Sequence, residues 1–76
     1  MNNQRRKEIE SIKEDLEALK SRIEDLTSEE KDAFDNMPES LQYSERGEKS
    51  TEAINNLEYA TSSLDDAVSS LEQAAE

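Results

Sequence analysis

Seventy-six residues with a 32% hydrophobic share can build at most one small domain. A formal net charge of −11, with no Cys and no His, excludes a disulfide framework, thiolate chemistry and the imidazole that most often serves as general base or metal ligand. An anion of that density repels nucleic acids and anionic lipid surfaces, so no direct nucleic-acid or membrane partner is expected.

The opening MNNQRRKEIE has no apolar core of a secretory signal, and no apolar run approaches the roughly 18 residues of a membrane span. The expected location is the cytoplasm. Asn2 or Asn3 can cap a first helix. From there Ile9, Ile12, Leu16, Leu19, Ile23 and Leu26 alternate spacings of three and four, an a/d heptad stripe. Lys13, Lys20 and Thr27 fall at e, and Glu8, Asp15 and Arg22 at g. Glu17 can pair with Lys13 or Lys20 along this helix. The stripe falters after Leu26, where the next a position is Glu30. Thr27 and Glu30 have capping-box spacing, so a helix over about 3–36 either breaks near 27 or runs straight through.

The segment DNMPESLQYSERGEKS holds the only Pro (Pro38) and the only Gly (Gly47). Pro38 lacks a donor and disfavours helix at Met37, which predicts a connector over about 37–47. Phe34, Met37, Leu41 and Tyr43 would plug that end of a core, and Ser44 or Ser50 could cap the next helix.

A second helix is predicted over about 48–75. Here Ile54, Thr61, Val68 and Ala75 fall at a; Leu57, Leu64 and Leu71 at d; Ala53, Ala60, Ala67 and Ala74 at g. Alanine along one edge suits close approach of a neighbouring helix. The pairs Asn55-Asn56, Ser62-Ser63 and Ser69-Ser70 are poor helix formers, so this helix depends on tertiary contacts. All nine basic residues lie at or before Lys49, whereas the six charges after Ser50 are all acidic. An antiparallel arrangement sets Arg5-Arg6-Lys7 beside Glu72, Glu76 and the negative end of the second helix dipole.

The predicted fold is therefore all-α, a single antiparallel, coiled-coil-like hairpin that dimerises into a four-helix bundle to cover its apolar stripes. The core and oligomer seam comprises Ile9, Ile12, Leu16, Leu19, Ile23, Leu26, Ile54, Leu57, Ala60, Leu64, Ala67, Val68 and Leu71. Larger oligomers stay open, because the mixed a and d residues do not fix the state.

No catalysis is expected, since the serine pairs have no base within helical reach. No cofactor is expected. No dedicated metal site is expected either: Asp65-Asp66 and Glu29-Glu30 diverge around a helix, and no calcium loop occurs. Functional scope lies in the acidic faces: Glu10, Glu14, Glu17, Glu24 and Asp25 on the first helix; Glu58, Asp65, Asp66 and Glu72 on the second. Rows of carboxylates on a rigid rod can imitate nucleic-acid phosphates toward a basic groove, and acidic outer faces also simply keep helical proteins soluble. Tyr59, at f, is an aromatic that no core requires, and it can anchor a partner. Glu58, Tyr59, Asp65, Asp66 and Glu72 are the candidate partner-binding residues.

The run AFDNMPESLQYSERGEKSTEAINNLEYATSSLDDAVSSLEQA, residues 33–74, resembles small acidic helical proteins of Gram-positive phages and prophages. The MPESLQYSERGE hinge and the NNLE heptads carry the likeness. It implies a phage setting, where small acidic proteins are often inhibitors of host factors or defences. The reading is an interaction module that associates with itself and with a protein bearing a basic surface. Two alternatives accompany it: an assembly protein whose role is oligomerisation, and an anti-defence protein that sequesters a small molecule.

Overall fold

The computed structural model describes all residues, Met1–Glu76. It contains α1 (Asn3–Asp35), α2 (Glu39–Gln42) and α3 (Glu45–Ala74), with no strand. The two long helices pack against each other and form a rod of 58 × 15 × 11 Å. No helix is long and apolar enough to cross a membrane.

α1 starts at Asn2, whose Oδ1 accepts from the Arg5 backbone N–H at 2.8 Å. This satisfies one of the free donors of the first turn. The helix then runs through residue 27 without a break. The Thr27 hydroxyl donates to the Ile23 carbonyl at 2.9 Å, one turn back. A hydroxyl spent in this way does not cap a new helix.

α1 ends where Pro38 prevents its continuation. The Asn36 N–H still reaches the Asp32 carbonyl, and the Met37 N–H donates to that of Phe34 at 3.0 Å. The Pro38 carbonyl opens the single turn of α2, accepting from Leu41 and Gln42. The Gln42 side chain then donates to the carbonyls of Phe34 (3.1 Å) and Met37 (3.2 Å), tying α2 back onto the end of α1. Phe34 and Met37 are half-buried in this turn, whereas Leu41 and Tyr43 lie exposed.

α3 begins at Glu45, three residues before the expected start near 48. Gly47 is buried inside the first turns of α3. A Cβ there would run into the Gln42 carbonyl and lie 2.6 Å from the Leu41 carbonyl oxygen. Its glycine therefore serves the close approach of two backbones and does not end a helix.

Ile9, 9% exposed, is the one buried hydrophobic residue, and no large side chain is fully buried. On α1 the covered residues are Ile9, Leu16 and Ile23 at a, with Lys13, Lys20 and Thr27 at e. The contact sector is thus turned toward e. The d row is left open, with Ile12 47%, Leu19 43% and Leu26 52% exposed. On α3 the covered residues are Ile54, Thr61, Val68 and Ala75 at a, Leu57, Leu64 and Leu71 at d, and Ala60 and Ala67 at g. The faltering a position, Glu30, is filled by a polar contact. Ser50, buried on α3, donates to Glu30 Oε1 at 2.7 Å. No buried polar side-chain atom lacks a partner.

Candidate functional site

Two heptad repeats of opposite charge meet along one edge of the rod. Lys13 and Lys20 lie seven residues apart on α1, and Glu72 and Asp65 lie seven apart on α3. The antiparallel pairing matches them as Lys13–Glu72 at 3.5 Å and Lys20–Asp65 at 2.7 Å. The next rung holds Thr27 and Glu58. Thr27 cannot supply a cation, and Lys31, one turn farther, reaches Glu58 at 3.1 Å. Short side chains at Thr27 and Thr61 leave a shallow hollow of about 250 Å³ beside this rung, lined also by Glu24, Ser28, Lys31 and Glu58. At the open end of the rod, Arg6 Nε donates to the Ala75 carbonyl at 2.9 Å. That contact places a cation at the negative end of the α3 dipole.

The lysines lie between two acidic rows. One is Glu10, Glu17 and Glu24 on α1; the other is Glu58, Asp65 and Glu72 on α3. Successive members of each row are about 10.5 Å apart along the helix. Six carboxylates therefore line an edge on which three ammonium groups are held. The hydrogen bond to Asp65 raises the Lys20 pKa above its ordinary 10.5, against the partial desolvation that lowers it; Asp65, Glu24 and Glu17 add Coulombic attraction. For Lys13, desolvation pulls the pKa down most strongly, but the combined pull of Glu10 and Glu72 outweighs it and leaves the value raised. Lys13 also approaches Glu10 on its own helix at 3.5 Å. Neither lysine has an ion pair with Glu17.

The five candidate partner-binding residues thus divide into two sets. Glu58, Asp65 and Glu72 hold the hairpin together through their lysines, while each carboxylate keeps more than half of its side-chain surface in solvent. Asp66 and Tyr59 face outward with no such role, and Tyr59 is 74% exposed. The acidic side chains run in rows, and no three of them converge on a common point for a cation.

Several contacts escaped the sequence reading. The interhelical assignment of Lys13 and Lys20 had a signal, since lysines and acids both repeat at e with a period of seven. Ser50–Glu30 also had one, a polar residue at a stripe position on each helix. The Gln42 tether to Phe34 and Met37 had none, because it depends on the path of the turn.

No protein-family model, curated protein or solved structure matches the chain.

Proposed function

We propose that this chain is a non-enzymatic interaction module that presents its acidic edge to a protein with a basic surface. The observation that carries this reading is the layout of charge. Lys13, Lys20 and Lys31 are engaged within the molecule, while both flanking carboxylate rows stay open to solvent. A rigid double row of that kind complements a basic groove and rejects nucleic acid itself. Tyr59 stands beside the α3 row as an aromatic anchor. The likeness of residues 33–74 to small phage proteins supports an inhibitor of a host nucleic-acid-binding protein, acting in the bacterial cytoplasm.

Self-association belongs to the same proposal. A hairpin with Ile9 as its one buried hydrophobic residue has little core, and a second hairpin would complete a four-helix bundle. If oligomerisation were the whole role, the acidic edge would bind nothing.

The test uses the chain immobilised and incubated with lysate of a Gram-positive host. The acids that brace the hairpin are left intact, and Glu17→Gln, Glu24→Gln and Asp66→Asn remove outward charge. The expected result is retention of basic proteins that are released by raised salt, and their loss on the triple variant with its helical circular dichroism intact. Retention indifferent to salt and to the three substitutions contradicts the electrostatic reading.

A further inference from the structure

We propose that the edge opposite the lysines is the face that meets a second copy, docked antiparallel about a two-fold axis through Leu19. The proposal rests on the self-association reading and specifies its geometry. Ile12, Leu19 and Leu26 form an exposed apolar row on α1. Leu19 and Leu26, with Arg22, Ile23 and Leu64, line an apolar groove of about 320 Å³.

Area supports an occupant of this size. The chain exposes 5701 Å². A monomeric protein of 8.6 kDa exposes about 4,700 Å² by the usual scaling with mass. The excess, about 1,000 Å², is close to the ~800 Å² per partner that a stable interface covers.

The charges choose the orientation. Asp15 and Arg22 flank the row one heptad apart, and neither makes an ion pair within the hairpin. A two-fold rotation at Leu19 sets Ile12 against Leu26 of the partner subunit, and Asp15 against Arg22 of the partner subunit, each twice. Parallel docking would oppose Asp15 to Asp15 and Arg22 to Arg22. The α3 side of this edge carries Ala60 and Ala67 and adds no acid. The rotation does set Glu8 against Glu29 of the partner subunit at the ends of the row, but parallel docking would oppose like charges at all four of these positions.

The absence of native cysteine permits a direct test by single-cysteine oxidation of the full chain. Leu19→Cys is expected to form a disulfide-linked dimer, because the axis brings the two residues together. Ile12→Cys alone is expected not to, since its two copies lie about 21 Å apart, beyond the roughly 7 Å that a disulfide spans between Cα atoms. A mixture of Ile12→Cys and Leu26→Cys chains should cross-link. Asp15→Arg should weaken dimerisation at least about tenfold, and adding Arg22→Asp should restore it. Self-linking of Ile12→Cys without the mixed product overturns the orientation. A wild-type dimer in which no pair links and Asp15→Arg changes nothing overturns the face but leaves self-association standing. A wild-type monomer overturns both.

Discussion

Lys20 and Asp65, 2.7 Å apart, form the shortest of the ion pairs that cross the hairpin, yet each side chain retains solvent contact. A pair so open to solvent contributes little. Lys20→Met and Asp65→Asn should each lower the denaturation midpoint slightly, and the double variant should lower it by less than their sum. The raised pKa of Lys20 also sets a pH dependence. Its contribution is fully present below the unfolded value of 10.5 and is lost as pH rises through the higher folded value. The melting temperature should therefore fall above about pH 10.5, and less steeply in Lys20→Met. Ser50 matters for a different reason. Ser50→Ala leaves the half-buried Glu30 carboxylate without its donor and should cost about 1–2 kcal/mol. Gly47→Ala opposes two effects. Alanine gains about 1 kcal/mol of helix propensity, but its Cβ would collide with the Gln42 carbonyl oxygen. A clash with backbone cannot be relieved by a side-chain rotation, so the overpacking cost of about 1–3 kcal/mol should win. Thermal unfolding of Gly47→Ala should show destabilisation.

At the scale of elements, α1 and α3 differ in what makes them helical. α1 is rich in Glu, Lys and Leu and carries an Asn2 cap. α3 carries Asn and Ser pairs on its outer side and no side-chain cap bond at Ser44. A peptide of residues 45–76 should consequently be far less helical by circular dichroism than the same segment in the intact chain. An equally helical peptide would show that α3 does not need its neighbour. The pairing of two long helices around Pro38 was legible because a period of seven in both halves, interrupted by the only proline, leaves few other solutions. The tilt of α1 was not. A heptad stripe assumes that a and d are covered together, but a single partner helix covers only one sector. The Lys13–Glu72 and Lys20–Asp65 pairs draw that sector toward e, leaving Ile12, Leu19 and Leu26 open. The role of Gly47 was not legible for a related reason: it emerges only when α2 folds back over it and brings the Gln42 carbonyl to where a Cβ would lie. At the candidate site, the acids were legible as rows, but the role of Glu58, Asp65 and Glu72 as braces became visible only once α1 lay beside them.

For the whole molecule, the same few apolar residues must serve both the hairpin and whatever covers it. A rod 58 Å long and 11 Å thick has little interior, and Ile9 is its one buried hydrophobic residue, so a second hairpin would add apolar burial that this fold lacks. In the proposed dimer association governs stability, and the acidic edge stays outside the proposed bundle, where the proposed basic partner would meet it. Sedimentation equilibrium of the purified chain at micromolar concentration, with helical circular dichroism recorded on the same sample, tests this most directly. The expected result is a strongly helical species of twice 8.6 kDa. A particle of 8.6 kDa with little helical signal would contradict it.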